Sequence, residues 1–207
     1  MLIFDLDGTL IDSNGVWVDV DKTFLGRRGV AYSKEYHDGV AHTILQNAAL
    51  FTKDYLKLDM TPEEIIAEWL ELAKDTYSHV PLKPHVREFL EKCKADGEKM
   101  IIFTAAVPSH CRTALENLGI GDYFYKIIFA KKMGVNKNTP EIFYRVADMF
   151  HIDPKDCILF DDSLAACKAA KAAGMTVVGV ADAFFQDSRP DMQELCDRYI
   201  SGFGELL

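Results

Sequence analysis

The first four residues, Met1-Leu2-Ile3-Phe4, are apolar without interruption. A run this short, hydrophobic at both alternations, predicts a strand buried on both faces of a parallel sheet. Four more runs repeat the signal: Met100–Thr104, Lys126–Ala130, Cys157–Asp161 and Thr176–Val180. Between them, apolar residues recur at three- and four-residue spacing, as with Val86, Phe89, Leu90 and Cys93 in the stretch Pro84–Ala95. The same periodicity predicts helices over Ser109–Leu118, Pro140–Phe150 and Ala165–Ala173, the first and last closed by Gly119 and Gly174. Alternating strands and helices predict an α/β fold, a Rossmann-like parallel sheet with helices on both faces.

The stretch from Gly15 to Val80 breaks this alternation. It holds no convincing strand, and its helical patterns include Ile44–Leu56 and Pro62–Tyr77. Thr61 ahead of Pro62, with Glu63 and Glu64 behind it, reads as a helix start. Arg27-Arg28-Gly29 reads as a helix end, where positive charge is favoured. Residues 15–80 are therefore expected to form an α-helical domain inserted into a core made of residues 1–14 and 81–207, with hinges at Ser13–Val16 and Val80–Pro84.

Composition narrows the function. The net charge of -9, with no local Lys/Arg run, argues against a nucleic-acid partner. No apolar stretch approaches membrane-spanning length and no signal peptide is legible, so no membrane partner is expected and the protein is expected to be cytoplasmic. The five cysteines are widely spaced, without CxxC, and read as reduced core thiols. GxxxxGK[ST] and GxGxxG are both missing, which disfavours a nucleotide-binding module.

Ligands of parallel α/β sheets sit beyond the carboxyl ends of the strands, so the polar strand tips carry the chemistry. The first strand ends in Asp5 and Asp7, which share a face, followed by Gly8 and Thr9. The second ends in Thr104 and Ala105, Lys137 follows the third, and the fourth ends in Asp161 and Asp162. Each residue alone has a plainer reading: Asp7 a turn, Thr104 a satisfied core hydroxyl, Lys137 a surface charge, Asp161-Asp162-Ser163 a helix cap. Together they place four acids and an ammonium around one crevice. Such acids repel unless a divalent cation and the lysine sit among them. An oxygen-only donor set suits Mg2+ beside a phosphate-bearing substrate.

Asp5 to Ser13, DLDGTLIDS, resembles the first motif of the haloacid dehalogenase-like phosphotransferases. FTA around Thr104, Lys137 with TPEIF, and FDDS with the AAKAAGM run resemble the other three motifs. A helical insertion after the first motif is similar to that of the phosphoglycolate phosphatase and β-phosphoglucomutase subfamily, where it forms a cap. The resemblance implies an Mg2+-dependent phosphatase of a small phosphorylated metabolite. Asp5 would be the nucleophile and Asp7 the acid/base. The metal would be held by Asp5, Asp7, Asp162 and Asp161, the last through a bound water or by holding Lys137. The phosphate would be held by Leu6, Asp7, Thr104, Ala105 and Lys137.

Dehalogenase and phosphonate-cleaving relatives lack an acid at the position of Asp7. Mutase relatives carry His where this chain has Trp17. A phosphosugar mutase and a catalytically silent phosphate-binding protein stand as the alternatives. Candidate substrate-facing residues in the helical insertion are Trp17, Tyr36, His37, His42 and Lys53, and the chain is expected to be a monomer or weak homodimer. Trp69 and Leu70 read as core, and the pair Phe184-Phe185 as either a contact surface or a buried pair.

Overall fold

A computed structural model of the chain describes residues 1–40, 45–134 and 137–207. Six strands, β1 (Leu2–Phe4), β2 (Met100–Thr104), β3 (Lys126–Phe129), β4 (Ile158–Asp161), β5 (Thr176–Val180) and β6 (Arg198–Ile200), form one sheet in the order β3-β2-β1-β4-β5-β6. Every pairing is parallel, with Phe4 of β1 flanked by Ile102 of β2 and Phe160 of β4. The helices are α1 (Val16–Gly26), α2 (Lys34–Val40), α3 (Leu45–Leu56), α4 (Pro62–Tyr77), α5 (Val86–Ala95), α6 (Pro108–Leu118), α7 (Pro140–Asp148), α8 (Leu164–Ala172) and α9 (Arg189–Leu195). The described chain separates into two compact units, residues 1–14 with 80–207, and residues 15–79.

Five strands and six of the helices follow the hydrophobic pattern within one or two residues. At two helix ends the backbone explains the difference. His85 takes a left-handed φ of 63°, so α5 starts after it rather than at Pro84, and His151 at 56° lies just past the end of α7. The hydrophobic pattern does not predict β6, α2 or α9, the last of which buries only Met192. β6 is three residues long and begins with the exposed Arg198, too short for periodicity to register. α2, KEYHDGV, buries only Tyr36 and so shows no apolar stripe.

The two faces of the sheet follow from strand alternation. Ile3, Ile101, Phe103, Leu159 and Val177 pack with Phe143 and Val146 of α7 and Ala166, Cys167 and Ala170 of α8. The opposite face is aromatic: Phe4 stacks on Phe160 at 4.7 Å between centroids, and Phe89 of α5 lies 5.2 Å from Phe203. Each such pair adds ~1 kcal/mol beyond the area it buries. The cysteines are free, with Cys93, Cys111, Cys157 and Cys167 buried among core side chains.

In the helical unit, Thr61 and Glu64 form a capping box at the start of α4: the Glu64 amide donates to Thr61 Oγ1 at 3.2 Å and the Thr61 amide to Glu64 Oε2 at 2.7 Å. Trp69 is buried and meets Phe24 of α1 edge-on at 5.7 Å. Arg28, just beyond α1, pairs with Glu68 of α4 at 2.6 Å and lies over the Phe24 ring. Among the described residues no helix is long and apolar enough to cross a membrane.

Candidate active site

The sheet order reverses direction between β1 and β4: β2 and β3 lie to one side of β1, and β4 to β6 to the other. A crevice opens at such a point beyond the strand ends. Asp5 extends the ladder of β1, its amide donating to the Phe160 carbonyl at 2.9 Å, so its carboxylate stands beside the tip of β4. There Asp5, Asp161 and Asp162, all buried, each bring an oxygen within 4.8 Å of the other two.

Lys137 closes the group. Its ammonium donates to Asp5 Oδ1 at 2.6 Å, Asp161 Oδ2 at 2.7 Å and the Phe103 carbonyl at 3.0 Å. Burial acts to discharge this lysine, but Asp161 and Asp5 outweigh it and hold the ammonium above its ordinary range. For Asp5 burial raises the carboxyl well above the usual range; Lys137 pulls it down, while Asp161, Asp162 and Asp7 push it up. Asp162 is pushed up to about 7, by burial first and then by Asp161, with the Asn14 amide acting in the opposite sense. One lysine does not balance three crowded carboxylates, and an all-oxygen set this close is suited to a hard divalent cation.

The turn after β1 builds the rest. Gly8 has φ +74°, and a Cβ there would collide with the Asn14 amide and the Asp162 carboxylate. The tight turn brings Thr9 Oγ1 to Asp162 Oδ1 at 3.2 Å and Asn14 Nδ2 to Asp162 Oδ2 at 2.8 Å. It also lets Ser13 Oγ donate to Asp7 Oδ1 at 2.6 Å. Asp161 Oδ1 accepts from the Ser163 amide at 2.9 Å, so each of its oxygens has a donor. A cavity of about 340 Å³ is lined by Asp5, Asp7, Asn14, Ala105, Asp162 and Phe185, among others.

A family model for haloacid dehalogenase-like hydrolases matches residues 2–180. The chain belongs to that family. Among curated proteins, this hydrolase is 25% identical over 175 residues to a phosphorylated carbohydrates phosphatase of Thermotoga maritima, covering 84% of this chain and 81% of the relative. It is 29% identical over 185 residues to hexitol phosphatase B of Escherichia coli, covering 86% and 82%. It spans about half, 48%, of a longer bifunctional riboflavin kinase/FMN phosphatase of Arabidopsis thaliana at 25% identity, 86% of this chain being covered. A solved protein of Thermotoga maritima, provisionally called a β-phosphoglucomutase, superposes with a TM-score of 0.84 at 23% identity over 96% of this chain and 93% of that one. At that identity the likeness is one of fold.

In this hydrolase Asp5, Asp7, Ala105, Lys137, Asp161 and Asp162 all line the cavity. Leu6 and Thr104 are fully buried next to these lining residues in the chain, and the Thr104 hydroxyl accepts the Ala106 amide at 3.0 Å. In the helical unit, Trp17 is half-buried on α1. Tyr36 is fully buried, its hydroxyl bonded to Thr52 Oγ1 at 2.9 Å and to Asp21 Oδ1 at 3.4 Å, so it presents nothing to solvent. His37 Nδ1 meets the Tyr32 hydroxyl at 2.7 Å, and Lys53 donates to the Met60 carbonyl at 2.8 Å. His42 lies outside the described residues.

Residues not singled out from the sequence also belong to the site: Thr9, Ser13, Asn14 and Ser163 by their bonds to its acids, and Phe185 in the lining. Three of them sit inside or just after DLDGTLIDS, where proximity to Asp7 was the available signal. Phe184 is exposed beside Phe185, so the aromatic pair splits between solvent and cavity.

Proposed function

We propose that this hydrolase is a Mg2+-dependent phosphatase of a small phosphorylated sugar or polyol, working through an aspartyl-phosphate. The observation that carries this reading is the Asp5 carboxylate at the tip of β1, paired with Lys137 and within 4.8 Å of Asp161 and Asp162 oxygens, on the wall of an open cavity. The substrates named for the hexitol and phosphorylated-carbohydrate phosphatases support the sugar or polyol class.

In the first step an Asp5 oxygen attacks phosphorus as the ester P–O bond breaks, and Asp7 gives its proton to the leaving alkoxide. In the second, Asp7 takes a proton from water as that water attacks phosphorus. The Asp5–phosphorus bond then breaks and inorganic phosphate leaves. The Ser13 hydroxyl orients Asp7 for both transfers. Lys137 neutralises charge on Asp5 and the phosphoryl oxygens, and Asp161 fixes Lys137. The Ala105 amide and Thr104 at the tip of β2 hold phosphoryl oxygens. A divalent cation held by Asp5, Asp162 and the Asp7 carbonyl would supply Lewis-acid charge stabilisation and keep the nucleophile ionised. Positioning and charge neutralisation carry most of the acceleration, because a loose phosphoryl transition state offers little else.

The test is hydrolysis of an aryl phosphate by the purified chain with Mg2+ and with chelator, followed by a panel of sugar and polyol phosphates. Metal-dependent release of phosphate is expected, and no turnover of any ester would reject the reading. Stimulation by a sugar bisphosphate would instead indicate a mutase.

A further inference from the structure

One large apolar side chain faces a cavity otherwise lined by polar side chains and alanines. Among the described residues that line it, Phe185 is the only aromatic one, and the steps above give it no part. Its loop is pinned from behind. The Phe184 amide donates to Asp182 Oδ1 at 2.8 Å, and Lys83 Nζ donates to Asp182 Oδ2 at 2.6 Å. Both charged side chains are nearly buried. Lys83 also donates to the Ala181 carbonyl at 2.9 Å, and its backbone amide to the Leu10 carbonyl at 3.0 Å, which ties the loop to the turn after β1. The Phe185 amide turns back onto the Asp182 carbonyl at 3.3 Å. Phe185 then interrupts the short helical run Ala183–Ser188, with φ -112° and ψ 30°. A ring held on so fixed a loop meets a ligand with little further ordering.

We propose that Phe185 is a specificity-determining residue, which stacks on the carbon face of the leaving group and so selects ring-form sugar phosphates over acyclic polyol phosphates. The inference rests on the phosphatase reading above, in which Asp5, Lys137 and Ala105 take the phosphoryl group in this same cavity. The carbon skeleton of the ester then meets the rest of the wall. An aromatic face carries partial negative charge that attracts carbon-bound hydrogens, and covering it removes apolar area from water. A sugar ring presents a flat face of such hydrogens in one rigid shape. An open-chain polyol of the same carbon count has to freeze several torsions to lie flat, which offsets the gain. The acids and Lys137 cannot make this distinction, because both esters carry the same phosphate.

Steady-state kinetics of the full chain with Mg2+ test this on glucose 6-phosphate and mannose 6-phosphate, each against the alditol phosphate made by reducing it. Both members of a pair leave as a primary alkoxide, so their ester bonds are equally hard to break. In at least one pair the wild type is expected to show a kcat/KM about fivefold or more higher for the ring form. Phe185→Ala is expected to lower kcat/KM about tenfold for that ring form and by no more than about twofold for its alditol. Phe185→Tyr keeps a ring and is expected to retain the preference, while Asp182→Ala frees the loop and is expected to erode it. Thermal unfolding reports the folding of each variant, and Phe185→Leu replaces Phe185→Ala if the latter unfolds. Equal fractional losses on both members in Phe185→Ala would overturn the proposal. A wild-type preference for the alditol in both pairs would do the same, as would hydrolysis of an aryl phosphate with no turnover of either sugar phosphate. A wild-type chain that turns over no ester at all, the aryl phosphate included, would instead remove the phosphatase reading on which the proposal stands.

Discussion

Lys137 and Asp5, 132 residues apart in the chain, form a 2.6 Å ion pair in which both side chains are nearly buried. The same ammonium lies 2.7 Å from Asp161, so a single cation joins the tips of β1 and β4. Removing it would leave two buried carboxylates facing each other without a counter-charge. Lys137→Ala is expected to lower unfolding stability by about 3 kcal/mol and turnover by about 10³-fold. Denaturant unfolding without metal and steady-state kinetics measure the two losses, and a change confined to KM would contradict the proposed role.

Asp5→Asn should behave differently. It removes the proposed nucleophile while relieving repulsion among Asp5, Asp161 and Asp162, and Lys137 keeps Asp161 as a partner. Turnover is expected to fall by at least about 10⁴-fold, with a melting temperature no lower than that of the wild type. Substantial residual hydrolysis would overturn the assignment of the nucleophile.

The Ser13 hydroxyl holds Asp7 Oδ1 at 2.6 Å, a short charge-assisted bond. Ser13→Ala is expected to reduce kcat by about tenfold, since one such bond is worth ~1.5 kcal/mol, with KM nearly unchanged. Ser13→Thr keeps the hydroxyl and is expected to retain most of the rate. An unchanged kcat in Ser13→Ala would exclude orientation of Asp7 by this bond.

Asp21 in the helical unit gives a pH signature separate from the active site. Burial raises its carboxyl from 3.8 to about 7, only partly offset by the Tyr36 hydroxyl. Between those values the folded chain holds a proton that the unfolded chain releases. Stability attributable to this group is therefore full below about pH 4, falls as pH rises, and is lost above about pH 7. Asp21→Asn is expected to raise the melting temperature at pH 8, with little change at pH 4. Equal shifts at both pH values would contradict a half-buried, proton-binding Asp21.

Much of this was legible in the order of residues. Strand β1 and its acids could be read because Met1–Phe4 is apolar at every position and Gly8 marks the turn. The start of α4 was legible because a capping box needs only Thr61 and Glu64, three residues apart. β6 was not, because Arg198-Tyr199-Ile200 earns its strand conformation from pairing with Val178, Gly179 and Val180 rather than from its own pattern. Tyr36 misled for a related reason: a polar aromatic in a short helix could face either way, and only packing against Thr52 and Asp21 turns it inward.

The chain order alone thus determined the alternation of strands and helices, and which acids, hydroxyl and lysine stand near strand ends, because both are local properties of period and turn chemistry. Which strands become neighbours was decided by the sheet. Placing β4 against β1 brings Asp161 and Asp162 to Asp5 across more than 150 residues, and no local spacing encodes that. The bonds that orient Asp7 and Asp162, from Ser13, Thr9 and Asn14, were likewise decided only by the tertiary fold. Hydrogen bonds a few ångströms long depend on where backbones finally pass, not on the separation of residues along the chain.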